Sequence, residues 1–301
     1  MVAEVLQGLQ VAPDRTYVDA TVGLGGHAEA ILQESSPTGR LIGLDQDPDN
    51  LAKARARLQP FESRVLLFHC NFIQLPEILE RCHLTTVAGI LLDLGLAMEQ
   101  LKVSGRGFSF GGDEPLDMRM NPEARTQTAA DLLNTWPEAE LSRIFWEWGE
   151  ERYARRIARR VVQARQQRPF QTTAQLVQTV LQAIPGKPSS RRLHPATRVF
   201  QALRLAVNQE LPHLATFLPQ ALAALAPQGR LVVIAYHSLE DRIVKHTFLQ
   251  AEKAGQVQRC QKKPLRPTAA EIRRNPSARS AKLRCVIKLA AGTGAAGGEV
   301  V

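Results

Sequence analysis

The amino-acid sequence predicts an α/β fold in which an all-helical segment interrupts a mainly parallel sheet. Before about residue 100, short apolar runs alternate with helix-like stretches, and this alternation is typical of βαβ units. From about residue 103 to residue 196 the pattern is helical and has almost no strand character. A buried-strand pattern returns at residues 230–236, which predicts that the chain leaves the sheet and later rejoins it.

Each predicted strand is a nearly continuous apolar run, as expected when helices cover both faces of a parallel sheet. The strands are predicted at residues 17–20, 41–44, 65–69, 88–93, 230–236 and 282–289. Helical periodicity predicts helices at residues 26–34, 48–58, 126–134, 137–148, 151–166 and 173–183.

The change of pattern divides the chain into a discontinuous domain and an insertion. Residues 1–102 and 197–290 are expected to form the α/β domain, and residues 103–196 are expected to form the helical insertion. The proline- and serine-containing stretch 185–190 indicates a linker or turn. The glycine- and alanine-rich residues 291–301 are expected to be a flexible tail.

The charge of the chain favours a polyanionic partner. There are 38 Lys and Arg residues against 29 Asp and Glu residues, and the net charge of +9 attracts nucleic acid or an anionic lipid surface. Arginines recur at helical spacing in residues 152–160, and a second basic cluster spans residues 259–284. Both clusters suit a phosphate backbone. A solvated helix face and a flexible basic arm remain the alternatives.

Composition argues against several classes of site. The four cysteines form no CxxC pair and no metal-ligand spacing, so they are expected to be reduced thiols, and no metal site is predicted. The longest apolar runs are far too short to cross a bilayer, and residues 1–10 do not resemble a signal peptide. A soluble, cytoplasmic protein without membrane contact or an obligate protein partner is therefore expected.

A nucleotide-cofactor site is predicted where the first strand runs through a glycine-rich turn into a helix. Residues 17–28 read Tyr-Val-Asp-Ala-Thr-Val-Gly-Leu-Gly-Gly-His-Ala, and such glycines let a ligand approach the amides of a helix start. Asp45 ends the next strand, where a carboxylate can accept hydrogen bonds from both hydroxyls of a ribose. The third glycine of a dinucleotide fingerprint is missing.

Asp19, just before the glycines, bears on which cofactor binds. A carboxylate there suits the cationic amino group of a methionine moiety and is a poor neighbour for a pyrophosphate, so S-adenosylmethionine is favoured over NAD. A tight turn that binds no ligand stays open. Asp93 ends the fourth predicted strand, and ligands of parallel sheets bind outside the carboxyl ends of the strands. Asp19, Asp45 and Asp93 are therefore predicted to share one edge of a crevice.

Several blocks spread over nearly the whole chain resemble the 16S rRNA cytosine-N4 methyltransferases of the RsmH (MraW) type. The blocks are Asp19-Ala-Thr-Val-Gly-Leu-Gly-Gly-His27, Leu92-Asp-Leu-Gly95, Arg106-Gly-Phe-Ser-Phe110, Pro115-Leu-Asp-Met-Arg-Met120, Gly149-Glu-Glu-Arg-Tyr-Ala-Arg-Arg-Ile157, His194-Pro-Ala-Thr-Arg198, Phe200-Gln-Ala-Leu-Arg204, Asn208-Gln-Glu210, His237-Ser-Leu-Glu-Asp-Arg242 and Asn275-Pro-Ser-Ala-Arg279. The resemblance implies a Rossmann-like S-adenosylmethionine methyltransferase domain with a helical insertion for substrate recognition. It also implies RNA of the small ribosomal subunit as substrate, as an assembled subunit.

The resemblance implies a set of residues that bind the methyl donor. They are Gly25, Gly26, His27, Asp45, Phe72, Asp93 and Gln100. Phe72 follows the third strand, where its ring could pack against adenine or could be an ordinary core side chain.

Three residues are candidates for catalysis of methyl transfer to the cytosine amine. Asp93 is expected to lie where donor and base meet and to accept a hydrogen bond from the amine. His237 follows a strand end, so it is either a second polar group at the base or part of the start of the next helix. Asp117 either contacts the target base or pairs with Arg119. The base must be unstacked or flipped to reach these groups.

Other functions remain as alternatives. After Gly95 the family commonly has a Ser-Ser pair and Gln-Leu-Asp, whereas residues 96–102 here read Leu-Ala-Met-Glu-Gln-Leu-Lys. This difference supports a catalytically impaired RNA-binding or ribosome-assembly protein of the same fold. A DNA amino methyltransferase is disfavoured because no Pro-Pro-aromatic sequence follows Asp93. An NAD oxidoreductase has no further sequence support.

Overall fold

The computed structural model describes residues 1–97, 100, 104–124, 126–185 and 194–290. The chain forms two compact units, one of Met1–Gly95 with Pro212–Val301 and one of Leu96–Leu211. The first is called the sheet unit and the second the helical unit. The helical unit is longer than the predicted insertion at both ends. Met98, Lys102, residues 186–190 of the expected linker and the expected tail 291–301 lie outside the described residues.

The sheet unit contains a seven-stranded sheet in the order β3-β2-β1-β4-β5-β7-β6. Strands β1 to β5 pair in parallel, whereas β7 pairs antiparallel with both β5 and β6. The strands are β1 (Thr16–Asp19), β2 (Arg40–Asp45), β3 (Val65–His69), β4 (Val87–Asp93), β5 (Leu225–Ala235), β6 (Val257–Arg259) and β7 (Lys282–Lys288). The predicted mixed α/β class with a mainly parallel sheet is confirmed.

Helices precede, connect and follow these strands. They are α1 (Val2–Leu9), α2 (Gly26–Glu34), α3 (Pro48–Leu58), α4 (Leu75–Arg81), α5 (Ala129–Thr135), α6 (Glu138–Glu147), α7 (Ala154–Gln167), α8 (Thr173–Ala183), α9 (Ala196–Asn208), α10 (Glu210–Ala224), α11 (Ser238–Lys253) and α12 (Ala269–Arg274). Short 3₁₀ helices span Gln59–Arg64, Phe72–Gln74 and Pro276–Ser280. Among the described residues, no helix combines the length and the apolar character needed to cross a membrane.

The sheet has a hydrophobic core on each face because successive side chains of a strand point to opposite sides. In β1, Tyr17 belongs to the core formed with α1, α2 and α3, and Val18 belongs to the core formed with α4, α10 and α11. In β5, Val232 and Val233 divide in the same way. Both faces are thus covered, and the polar residues at the carboxyl ends of the parallel strands are left to form a site.

The helical unit has its own core, to which α5, α6, α7, α8 and α9 contribute. Asn208 at the end of α9 is 1% exposed and joins distant parts of this unit. Its Oδ1 accepts the N–H of Met120 at 2.8 Å, and its Nδ2 donates to the carbonyl of Met118 at 2.8 Å. These bonds hold the segment before α5 against α9, because buried backbone N–H and C=O groups need hydrogen-bond partners.

Candidate active site

The carboxyl ends of β1, β2 and β4 place Asp19, Asp45 and Asp93 at one edge of the sheet. Asp19 is in register with Gly43 of β2 and with Leu91 of β4. Asp45 and Asp93 each end their strand two residues beyond these partners. The predicted convergence of the three carboxylates on the sheet edge therefore agrees with the strand register.

The glycine turn after β1 is hydrogen-bonded to the end of β2. The N–H of Gly23 donates to Oδ2 of Asp45 at 2.8 Å, and Gly23 has a φ of 52°. Gly25 is the N-cap of α2 with a φ of 82°, in the left-handed region that favours glycine. No side chain caps α2. The first amides of this helix therefore remain without a side-chain acceptor.

Asp19 is an almost completely buried carboxylate with one unsatisfied oxygen. Its exposed fraction is 1%, and Oδ1 accepts the N–H of Thr21 at 3.2 Å. Oδ2 is buried and has no hydrogen-bond partner among the described residues. Burial raises the pKa of Asp19 to about 7, although the charge of His27 and the Thr21 N–H act in the opposite direction. A cationic group at Oδ2 would stabilise the ionised form.

His27, the second residue of α2, points towards Asp93. Its Nε2 lies 3.5 Å from Oδ2 of Asp93. Burial alone would lower the pKa of His27, but the interaction with Asp93 and the charge of Asp19 raise it above its ordinary value. Its Nδ1 is buried and has no partner among the described residues. The turn thus holds a second polar atom that lacks a partner.

Tyr236 is a site residue that the sequence did not reveal. Its hydroxyl donates to Oδ1 of Asp93 at 3.1 Å, while the N–H of Asp93 donates to Oγ1 of Thr21 at 2.7 Å. Burial and the negative charge of Asp93 raise the pKa of Tyr236, so the hydroxyl stays protonated and remains a donor. Tyr236 follows Val232 and Ile234 at intervals of two residues, so the three side chains lie on the same face of the sheet. The alternation of side chains along the strand could therefore have indicated where the hydroxyl of Tyr236 lies.

Asp45 accepts a backbone N–H with each carboxylate oxygen. Gly23 donates to Oδ2, and Asp47 donates to Oδ1 at 2.8 Å. Burial raises the pKa of Asp45 to about 6, although these two N–H groups favour the ionised form. A carboxylate has about four acceptor sites. Each oxygen of Asp45 can therefore still accept a hydroxyl group.

Phe72 is largely a core residue. It is 9% exposed, and its ring meets those of Phe217 and His213 edge-on, with centroids 5.0 Å and 6.4 Å away. Asn71, the residue before Phe72, donates from Nδ2 to Oε1 of Gln46 at 2.8 Å. Gln46 directly follows Asp45 in the sequence. Only a small part of the Phe72 ring surface is open to a ligand.

His237 caps α11. Its Nδ1 accepts the N–H of Glu240 at 3.4 Å, and Oε2 of Glu240 accepts the N–H groups of Tyr236 and His237. Nε2 lies 3.1 Å from Oε1 of Glu240, although the two are not aligned for a hydrogen bond. The side chain is 13% exposed. Two roles were predicted for His237. The structure shows one of them, capping of the start of α11, and contact with a base stays a prediction.

Gln100 and Asp117 lie in the helical unit, where both side chains are engaged. Oε1 of Gln100 accepts the N–H of Ala97 at 2.8 Å, and Gln100 is 6% exposed. Asp117 forms a bidentate ion pair with Arg119. Nε and Nη2 of Arg119 donate to Oδ1 and Oδ2 of Asp117, each at a distance of 2.7 Å. Burial would raise the pKa of Asp117, but the bonds from Arg119 hold it below its ordinary value. Pairing with Arg119 is thus observed, and roles in donor or base binding stay predictions.

The C-terminal basic cluster, residues 259–284, is more neutralised than the sequence suggested. In the C-terminal cluster, Arg259 pairs with Glu252 at 2.6 Å, and Lys282 and Arg284 both pair with Asp241, at 2.9 Å and 2.7 Å. Both acids, Glu252 and Asp241, come from outside the segment that carries the cluster. The cluster keeps fewer charges for phosphates than its composition implies.

The residues around the glycine turn fit a ligand that carries a positive charge and hydroxyl groups. The buried Oδ2 of Asp19 can accept a cation, Asp45 can accept hydroxyls, and the uncapped start of α2 offers amides. Within the described residues, no three His, Cys, Asp or Glu side chains are grouped so that they could hold a metal ion. S-adenosylmethionine, with its α-amino group and ribose, has this combination of groups.

Comparison with known proteins gives a family. The model of the MraW methylase family matches residues 1–289. A relative from Symbiobacterium thermophilum, named ribosomal RNA small subunit methyltransferase H, is 47% identical over 97% of this chain and 96% of its own. A relative of the same name from Syntrophotalea carbinolica is 48% identical over 96% of each chain.

Solved structures overlap more weakly. The crystal structure of an rRNA methylase from Streptococcus thermophilus has a TM-score of 0.44 and 10% identity, and the overlap covers 94% of this chain and 92% of that one.

Proposed function

The chain belongs to the MraW methylase family, and we propose that it transfers a methyl group from S-adenosylmethionine to N4 of a cytidine in 16S rRNA of the small ribosomal subunit. The name shared by its relatives supports a methyltransferase acting on small-subunit ribosomal RNA. The sequence resemblance supports cytidine N4 as the acceptor. A ribosomal substrate also supports a cytoplasmic location.

The observation that carries this proposal is the unsatisfied pair of polar atoms beside the glycine turn. Oδ2 of Asp19 and Nδ1 of His27 are buried without partners among the described residues. An unsatisfied buried polar group costs about 1–3 kcal/mol. Two such groups on one turn are well explained if a bound molecule supplies their partners. The unliganded protein bears this free-energy cost, and ligand binding removes it.

In this proposal, Asp19 binds the donor amino group and Asp45 binds the ribose hydroxyls. Gly25, Gly26 and His27 contribute the open start of α2. Phe72, Asp93 and Gln100 complete the set of donor-binding residues that the resemblance implies. The 9% of Phe72 that remains exposed is the part available to adenine.

S-adenosylmethionine supplies a sulfonium methyl group that is open to in-line attack by nitrogen. The cytosine amine is a weak nucleophile because its lone pair is delocalised into the ring. Asp93 accepts a hydrogen bond from this amine and favours the positive charge that develops as the N–C bond forms and the S–C bond breaks. The methylated amine would then release its proton to solvent water, and the donor would leave as the uncharged thioether. Tyr236 and His27 fix the two oxygens of Asp93, which keeps the acceptor aligned.

His237 and Asp117 are the two remaining candidates for contact with the base. His237 would act through Nε2, since Nδ1 already accepts the Glu240 N–H. Asp117 would act while paired with Arg119, which keeps it ionised. The target cytidine would be unstacked before it reaches these groups.

The test is transfer of labelled methyl from S-adenosylmethionine to small ribosomal subunits that lack the modification, followed by identification of the product nucleoside. We expect N4-methylated cytidine with the unaltered protein. Asp93→Asn should reduce turnover on the order of 100-fold, well beyond any loss of donor binding, which is measured separately, because one preorganised acceptor is lost. Asp113→Asn, which removes an exposed carboxylate, is the matched control and should leave turnover unchanged.

Two results would contradict the proposal. Label in a different nucleoside would refute cytidine N4 as the acceptor. Donor binding without any methyl transfer to the subunits would instead indicate an RNA-binding assembly protein. Membership of a methylase family argues against this alternative.

A further inference from the structure

One large aromatic side chain in the helical unit is exposed to solvent. Trp146 lies near the end of α6 and is 62% exposed, whereas Leu141, Ile144 and Phe145 of the same helix are buried. Among the described residues of the helical unit, no other large hydrophobic side chain is exposed in this way. A single exposed aromatic side chain is not unusual by itself. The groups around the indole therefore decide whether it marks a binding site.

Trp146 lines a cleft of about 630 Å³ between α6 and the segment that leads into α7. We call it the tryptophan cleft. Four exposed arginines line the same cleft: Arg143, which is paired with Glu140 and Glu147, and Arg152, Arg155 and Arg156. The guanidinium of Arg152 lies 4.5 Å from the centroid of the Tyr153 ring, so a cation–π contact holds it in place. The cleft thus combines an open indole face with fixed positive charge.

Two arginines of the tryptophan cleft have no counter-ion among the described residues. Within the described part of the chain, Arg155 and Arg156 form no ion pair and no side-chain hydrogen bond. The acid that lines the cleft, Glu147, is bound to Arg143 at 3.1 Å. Glu151, next to Arg152, is buried and accepts the N–H of Tyr153. The cleft keeps a net positive charge for a partner.

We propose that the tryptophan cleft binds an unpaired nucleotide of the substrate RNA, with its base stacked on Trp146 and the flanking phosphates on Arg155 and Arg156. This inference rests on the proposed function, because it assumes that RNA is the substrate. An aromatic face with arginines beside it is the combination that binds single-stranded nucleic acid without base-edge readout. An acidic peptide would use the arginines but would leave the indole face unexplained.

The neighbouring arginines on α7 do not share this role. Arg159 lies 3.7 Å from Glu138, and Arg160 donates to Oε1 of Gln182 at 2.8 Å. Neither residue lines the tryptophan cleft. The predicted stripe of arginines therefore divides into a cleft-facing group and an engaged pair, and the engaged pair provides a control with the same change of charge.

The experiment compares three variants with the unaltered protein. Trp146→Ala removes the stacking face, Arg155→Ala with Arg156→Ala removes the phosphate contacts, and Arg159→Ala with Arg160→Ala removes the same charge from the engaged pair. The readouts are the KM and kcat for unmethylated small subunits, the Kd for a fluorescent single-stranded RNA, and the Kd for the donor. Far-ultraviolet circular dichroism establishes that each variant is folded.

We expect Trp146→Ala to raise the KM and the RNA Kd on the order of tenfold, the range for one lost stacked base, with kcat and donor binding unchanged. Trp146→Phe should restore most of the affinity. Loss of Arg155 and Arg156 should make RNA binding less dependent on salt by about 1.4 in the log–log slope, at about 0.7 for each contact. The engaged pair should change the slope far less.

Three results would overturn the inference. They are equal effects of the two double variants, no effect of Trp146→Ala on RNA binding, or competition by polyglutamate as strong as by single-stranded RNA of equal charge. Methylation by the unaltered protein together with any of these would leave the proposed function standing. Tight RNA binding through the cleft without methylation of subunits would instead refute the proposed function.

Discussion

Replacing Asp19 with asparagine should stabilise the protein and at the same time abolish donor binding. Asparagine has nearly the same shape but no charge. Asp19 is buried with one oxygen unsatisfied, so its negative charge has little compensation within the fold. The same charge is what would attract the amino group of the donor. Stability and binding should therefore change in opposite directions.

The size of the effect follows from the pKa of Asp19, which burial raises from 3.8 to about 7. At about 1.4 kcal/mol for each pKa unit, this rise corresponds to about 4 kcal/mol. Because the folded-state pKa lies above the unfolded one, ionisation destabilises the fold. The penalty is absent well below pH 3.8, grows up to about pH 7 and is constant above it. About 2.5 kcal/mol of it develops between about pH 5 and pH 8.

The assay is urea denaturation of Asp19→Asn and the unaltered protein at these two pH values. Far-ultraviolet circular dichroism is the appropriate probe, since all three tryptophans lie in the helical unit. The advantage of Asp19→Asn should grow with pH, whereas Asp113→Asn should show no such trend. Calorimetry should find no donor binding to Asp19→Asn. A stability difference independent of pH would refute the reasoning, because it would mean that the charge of Asp19 is compensated.

Three further substitutions test other contacts. Tyr236→Phe removes the hydroxyl that holds Asp93 and should lower kcat several-fold with donor Kd nearly unchanged; an equal loss in both would point to a structural role. Asp45→Ala should raise the donor Kd at least tenfold in calorimetry, because two hydroxyl acceptors and two turn contacts are lost; an unchanged Kd would exclude Asp45 from the donor site. Asn208→Ala leaves the Met118 carbonyl without its donor and should destabilise the helical unit by about 2–4 kcal/mol in urea denaturation followed by tryptophan fluorescence; a change below about 0.5 kcal/mol would contradict this.

The sequence predicted the elements whose pattern is strong within a single segment. Helices 26–34, 48–58 and 173–183 and strand 65–69 have the observed bounds. β6 was missed because Val257–Arg259 has no apolar pattern of its own and becomes a strand only by pairing with β7. The start of β5 was placed too late, at residue 230, because residues 226–229 loop out between the pairs Val87–Leu225 and Gly89–Arg230. Both errors come from pairing between distant segments, which local pattern does not contain.

The site was predictable where strand ends dictate it and not where side chains cross between strands. Asp19, Asp45 and Asp93 could be placed together because parallel strands end at one edge. The hydroxyl of Tyr236 reaches Asp93 across the pairing of β4 with β5, which becomes visible only once the strand order is known. The capping role of His237 needed the orientation of its ring towards Glu240.

The candidate residues fall into two groups: those whose polar atoms already have partners within the fold, and those whose buried polar atoms do not. His237 caps a helix, Asp117 is paired with Arg119, and Gln100 accepts a backbone N–H, so each has a structural reason to be polar. Asp19 and His27 have buried atoms for which the described fold provides no partner, and burial makes the charge of Asp19 costly. Because a fold with cores on both sheet faces could replace them by apolar side chains at little cost, their presence is best explained by a ligand. Site predictions from this chain are therefore strongest for the residues that folding alone does not need.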